Sequence, residues 1–79
     1  MKRDARSQRE AGFSVAVAGL VHGKTFLPNV AAHPRMRLSA VVDSDPEKRN
    51  KSAEEYGVRG FASLDDLLAS GVADAVILA

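Results

Sequence analysis

The chain has 79 residues and a net charge of +1, so it holds one small domain and carries no overall field that would select nucleic acid or an acidic partner. It has no cysteine, which excludes a disulfide framework, a thiolate metal site and a cysteine nucleophile and fits a cytoplasmic protein. No apolar run approaches the roughly 18 residues that a membrane span requires.

Residues 1–12, MKRDARSQREAG, hold four basic and two acidic groups. No signal-peptide pattern follows, and the segment reads as a disordered basic tail. Phe13 to Ala18 is a short continuous apolar run, as expected of a strand buried on both faces of a parallel sheet. Gly19 breaks it. From about His22 to His33, the residues Phe26, Leu27, Val30 and Ala31 fall on one helical face, and Pro34 ends the helix. His33 is then a helix C-terminal residue favoured by the dipole. Leu38 to Val42 is a second apolar run, closing on Asp43.

Asp45 is placed to cap the next helix, with Pro46 at its first position and Glu47 near its positive end. That helix runs to Tyr56, and Gly57 stops it. Its apolar face is thin, so a surface position is expected. Val58 to Ala62 reads as a brief strand. Ser63 and Asp66 resemble a capping box, Leu64, Leu67 and Leu68 form an apolar stripe, and Gly71 closes the helix. Asp74 introduces a fourth apolar run, AVILA. Apolar strands alternating with amphipathic helices predict βαβ units and a parallel sheet. A last strand left at an uncovered edge is an aggregation hazard, so residues 13–79 are expected to be the N-terminal part of a larger domain, truncated after the fourth strand.

The stretch VAVAGLVHGKTF admits two phosphate chemistries. Ala18 to Thr25 satisfies A-x-x-x-x-G-K-T. In a P-loop, Lys24 would reach the β- and γ-phosphates, Thr25 would hold Mg²⁺ and Asp43 would serve beside the metal. Leu20, Val21 and His22 are bulky for so tight a loop, and Pro28 would remove a helical bond to the lysine carbonyl. In the alternative, Gly19 makes the turn of a dinucleotide site, and Asp43, 24 residues on, is the acid that binds the ribose. Here Val21 and Lys24 stand where G-x-G-x-x-G has glycine, Gly23 is out of register, and Pro28 requires a late or kinked helix.

The remaining segments discriminate. Leu38 to Lys48 (LSAVVDSDPEK), Ala53 to Val58 (AEEYGV), Phe61 to Leu68 (FASLDDLL) and Asp74 to Ala79 (DAVILA) stand in an order that resembles the N-terminal domain of the Gfo/Idh/MocA family of NAD(P)-dependent oxidoreductases. The resemblance covers nearly everything from Phe13 onward. It implies a Rossmann-type α/β fold with strand order 3-2-1-4 and flanking helices, binding NAD or NADP. It implies that Gly19, Leu20, Val21, His22 and Gly23 face the pyrophosphate through their backbone, that Lys24 supplies charge, and that Asp43 meets the adenosine ribose. Ser44 follows where NADP-preferring relatives often carry Arg, which favours NAD. Lys48 lies close enough to matter. The resemblance further implies hydride transfer on a sugar, inositol or related polyol, held by a C-terminal substrate domain of a homo-oligomeric, cytoplasmic parent whose catalytic lysine follows Ala79. A non-catalytic nucleotide-binding module of the same fold is the other outcome. Within this chain no catalytic residue and no metal ligand is assigned: Asp65 and Asp66 read as helix-dipole acids, and two histidines alone do not make a metal site.

Overall fold

A computed structural model describes residues 13–79; the basic tail expected at 1–12 lies outside the described residues. Four strands form one parallel sheet in the order β3-β2-β1-β4: β1 (Phe13–Ala18), β2 (Met36–Val42), β3 (Arg59–Phe61) and β4 (Ala75–Leu78). The helices are α1 (Leu20–Gly23), α2 (Leu27–Ala32), α3 (Pro46–Tyr56) and α4 (Leu64–Ser70).

β1 lies at the centre, and Val15, Ala16 and Val17 are at most 2% exposed, as a run of small apolar and β-branched residues with no polar alternation requires. Val15 and Val17 pack with Leu20, Leu27, Val30, Leu38 and Val41 on one face. Ala16 packs with Ala40, Val42, Phe61 and Leu67 on the other. The first face therefore takes α1 and α2, with Ala53 and Tyr56 of α3 at its edge, and the second takes α4. Right-handed crossovers produce this arrangement, since the chain steps outward from β1 to β2 to β3 and then returns to the far side of β1.

Strand β2 contains a bulge. Val15 pairs with Leu38 but Ala16 pairs with Ala40, so Ser39 is the extra residue; its hydroxyl donates to the Val15 carbonyl at 3.3 Å. In an unbroken strand, Leu38, Ala40 and Val42 would share a face. The bulge puts Leu38 with Val41 instead.

The helix expected over 22–33 is two helices joined by a turn at residues 24–26. Pro28 sits in the first turn of α2 and cannot donate to the carbonyl of Lys24. Leu27 donates there instead, at 3.3 Å. The proline thus restarts the helix rather than sitting within it. β2 also begins two residues before Leu38. At the foot of the sheet, Ser14 and Asp74 exchange two hydrogen bonds: Asp74 N–H to the Ser14 carbonyl at 2.7 Å and Ser14 N–H to Asp74 Oδ2 at 3.0 Å.

Helix α3 is capped as its sequence predicts. Asp45 accepts from the N–H groups of Glu47 and Lys48, and Gly57 closes the other end. Only Ser52 of α3 is buried, which matches the thin apolar face. In α4, Ser63 accepts from Asp66 N–H. The expected leucine stripe is only partly used: Leu67 is buried, whereas Leu64 and Leu68 are exposed.

Candidate cofactor site

β1 and β2 end in register, Ala18 opposite Val42, so the residues that follow them, Gly19 and Asp43, leave the sheet side by side. Gly19 N–H donates to the Val42 carbonyl at 2.9 Å, Asp43 N–H to Phe61 at 3.0 Å and Ala79 N–H to Ala18 at 3.0 Å. All of these lie at the carboxyl ends of the strands, where open parallel sheets place their crevice.

Gly19 has φ +86, a conformation that side chains rarely adopt. A Cβ there would lie 2.6 Å from the Ala79 carbonyl oxygen. The turn therefore needs glycine for both conformation and space. It delivers the chain directly into α1, whose first residue, Leu20, donates its N–H to Asp43 Oδ2 at 2.9 Å. The second carboxylate oxygen, Oδ1, accepts from Asp45 N–H at 2.8 Å. Arg49 Nη1 donates to the Asp43 carbonyl at 3.0 Å, and a Cβ on Gly60 would meet the Arg49 side chain at 2.8 Å. Asp43 is thus held through its backbone and both carboxylate oxygens. Each oxygen retains a further lone pair for a hydroxyl. Of the first-turn N–H groups of α1, that of Leu20 is used by Asp43, and those of Val21 and His22 have no acceptor within the helix.

Gly23 is out of register with the glycine motif. The structure packs it on β1, where a Cβ would lie 2.7 Å from Val17 Cγ1 and 3.3 Å from the Ala79 Cβ. This is the close helix-on-strand approach for which dinucleotide folds use their third glycine, supplied here one position earlier. Val17 is completely buried and has no room to yield. Gly23→Ala is expected to cost about 1–3 kcal/mol of stability as overpacking, and Val17→Ala in the same chain is expected to recover part of that loss. Urea unfolding of the two single variants and the double variant measures both.

The P-loop alternative fails on this geometry. Gly23 N–H donates to Gly19 at 2.7 Å and Lys24 N–H to Leu20 at 3.3 Å, so amides that would wrap a triphosphate are spent inside a helix. That helix begins at Leu20, not at the lysine. Lys24 and Thr25 lie in an exposed turn.

Val21 and Lys24 line a cleft of about 390 Å³ between α1 and α3, together with Leu20, Glu47, Lys48, Lys51 and Ser52. Ser44 is exposed on the link to α3. Lys48, which bears on cofactor choice, puts its Nζ 3.1 Å from Asp45 Oδ2. The Lys48 hydrogen bond, with that from Glu47 N–H, holds the Asp45 carboxyl below the ordinary aspartate range. The same Asp45 bond raises Lys48. A lowered acid stabilises the fold above its unfolded pKa and loses that contribution as pH falls through the folded value. Asp45→Asn is therefore expected to flatten the fall of stability below about pH 4 in thermal melts followed against pH.

Within EKRNKS, Arg49 and Ser52 read as a solvated helix face, and nothing along the sequence marks the Arg49 bond to the Asp43 carbonyl or the burial of Ser52. Among the described residues, no group of three or more His, Asp or Glu is placed to hold a metal ion, and no helix is long and apolar enough to cross a membrane.

Residues 13–79 match the family model for Gfo/Idh/MocA, an oxidoreductase family with an NAD-binding Rossmann fold. None of the curated proteins matches the chain. Among solved structures, the WlbA dehydrogenase from Bordetella pertussis, in complex with NADH and UDP-GlcNAcA, is 33% identical with a TM-score of 0.78, over 86% of this chain and 21% of that one. The scyllo-inositol dehydrogenase from Lactobacillus casei, with bound NAD(H) and scyllo-inositol, is 26% identical with a TM-score of 0.77, over 85% of this chain and 21% of that one. An apo structure of the Lactobacillus casei enzyme is 25% identical with a TM-score of 0.80, over 89% and 22%. The chain thus spans about a fifth of the length of the solved structures it matches.

Proposed function

The chain belongs to the Gfo/Idh/MocA oxidoreductase family, as its NAD-binding Rossmann domain, and we propose that it holds the adenosine half of NAD at the Gly19 turn for a dehydrogenase of sugars, inositols or related polyols. The pyrophosphate takes the N–H groups of Val21 and His22 at the start of α1, within the segment Gly19, Leu20, Val21, His22 and Gly23. Lys24 adds charge. Asp43 accepts the ribose hydroxyls, with Ser44 beside it. The observation that supports this reading is the Asp43 carboxylate, which accepts from the first amide of α1 at 2.9 Å, so that a group able to accept ribose hydroxyls stands beside the N–H groups proposed for the pyrophosphate.

A carboxylate at that position accepts bonds from a 2′-hydroxyl and repels a 2′-phosphate, so NAD is preferred to NADP. The nicotinamide supplies the hydride chemistry when bound. This chain's own residues position the cofactor; by the family resemblance, a lysine in a Glu-Lys-Pro element and a separate substrate domain of the parent protein carry proton transfer and substrate binding. The substrate class rests on the two neighbours crystallised with a nucleotide sugar acid and with an inositol. By the same resemblance the parent works in the cytoplasm as a homo-oligomer.

ADP-ribose tests the reading, because it carries the pyrophosphate and the adenosine ribose without nicotinamide. Calorimetric titration is expected to show saturable binding of ADP-ribose and NADH. Binding of Mg-ATP with no response to either would overturn it.

A further inference from the structure

We propose that Arg49 is a positioning residue for ribose recognition: it clips the main chain of Asp43 so that the carboxylate is held toward the hydroxyls, and Gly60 is the glycine that makes room for it. The inference rests on the cofactor reading above and adds a determinant of how tightly that site grips the sugar.

Asp43 is the first residue past the sheet on β2. Its N–H still finds a strand partner, the Phe61 carbonyl at 3.0 Å. Its own carbonyl does not, because among the described residues no backbone N–H reaches it. Arg49, the fourth residue of α3, supplies the missing donor, with Nη1 at 3.0 Å. A charged donor makes a stronger bond than a neutral one. The bond ties the end of β2 to the first turn of α3 and fixes the peptide plane between Asp43 and Ser44. That plane governs the carboxylate. Asp43 Oδ1 accepts from Asp45 N–H at 2.8 Å, and the position of that N–H turns with the plane. Oδ2 is held separately, by Leu20 N–H at 2.9 Å. Without Arg49 the carbonyl turns to water, the Asp45 bond loosens, and the carboxylate pivots on Leu20 alone. A group that must meet a hydroxyl in one geometry loses most from such freedom.

The packing beneath Arg49 is the second observation. Its side chain is half-buried and runs over β3 at Gly60, where an added Cβ would lie 2.8 Å from the arginine Cγ and 3.4 Å from its Cδ. Ala53, one turn further along α3, lies over the same glycine, 3.5 Å from that position. Cγ is the near end of the side chain, so a methyl at residue 60 forces the whole arginine to turn. Gly60 has no positive φ and pairs with Val41 as an ordinary strand residue. The glycine therefore provides space rather than conformation. Asp43 after β2, Arg49 on α3 and Gly60 on β3 form one unit.

The test is the preference of the full chain for ADP over 2′-deoxy-ADP in calorimetric titration, because the two differ only in a hydroxyl offered to Asp43. The parent chain is expected to prefer ADP about tenfold. Arg49→Ala is expected to cut that preference to about threefold or less. Gly60→Ala is expected to cut it in the same way, and the double variant to fall no further than Arg49→Ala, since the methyl then has no arginine to displace. Alanine suits a helix, and the backbone of Gly60 is one that alanine adopts, so both variants fold; urea unfolding checks this. A merely structural role would weaken both nucleotides alike and leave their ratio unmoved. An unchanged ratio in Arg49→Ala overturns the proposal, and so do effects of Arg49→Ala and Gly60→Ala that add. Failure of the cofactor reading shows in the parent chain instead, as binding of neither NADH nor ADP-ribose or as equal affinity for ADP and 2′-deoxy-ADP, and it overturns this proposal as well.

Discussion

Gly19→Ala is expected to be the most damaging single-methyl change in the chain. Placing a side chain at φ +86 costs about 1–3 kcal/mol in backbone strain. The added Cβ would also lie 2.6 Å from the Ala79 carbonyl oxygen, so the turn or residue 79 must shift. Moving the end of β1 away from residue 79 or tilting α1 relieves the contact, and either motion displaces the N–H groups offered to the pyrophosphate. Loss of measurable ADP-ribose binding is expected together with a fall of about 3 kcal/mol or more in unfolding free energy. Gly57→Ala separates the two causes. Gly57 has φ +65 and nothing within 4 Å of its would-be Cβ, so it reports strain alone, about 1 kcal/mol. Equal losses at the two positions in urea unfolding would show that the close approach to residue 79 carries no weight.

Asp43→Asn is expected to strike cofactor and fold together. The two carboxylate oxygens of Asp43 accept from Leu20 N–H and Asp45 N–H. An amide keeps one acceptor and turns its NH₂ toward the other donor, leaving a part-buried N–H unpaired at about 1–3 kcal/mol. The same change removes the charge that accepts the ribose hydroxyls, and ADP-ribose affinity should fall about 10- to 100-fold. Ser44→Ala leaves the carboxylate and its bonds in place and should change affinity little. Calorimetry on the two variants checks the pair. An Asp43→Asn variant that binds ADP-ribose as tightly as the parent would place the sugar elsewhere.

Strands β1, β2 and β4 were legible because each is largely an apolar run next to a residue that interrupts it: Gly19 after β1, Asp43 after β2, Asp74 before β4. Strand order followed from the family resemblance and the handedness of crossovers, not from any residue. The bulge at Ser39 was not legible, because a serine inside SAVV carries no mark of which strand neighbour it will skip. Pro28 announced a break in the helix but not its outcome, since a proline serves equally as a kink or as a first-turn residue. The leucine stripe of α4 overstated its burial: three leucines at helical spacing show which side faces inward, but not how much partner surface is there to meet them. At the site, Asp43 was visible from spacing, whereas its bond to Leu20 depends on two strand ends lying in register and has no signature along the chain. Gly23 looked misplaced against a consensus string and is explained only by the distance between α1 and Val17.

The central place of β1 also sets how the chain must fold. Its hydrogen-bonding partners are residues 36–42 on one side and 75–78 on the other, and its foot is latched across 60 positions to Asp74. No hairpin can nucleate this sheet, because every pairing closes a long loop before it gains anything. As the chain is synthesised, this central strand emerges before both of its partners and waits longest for its second neighbour. Slow, chaperone-sensitive folding is the expected kinetic signature, and variants that weaken β4 pairing should lower soluble yield before they change anything at the nucleotide.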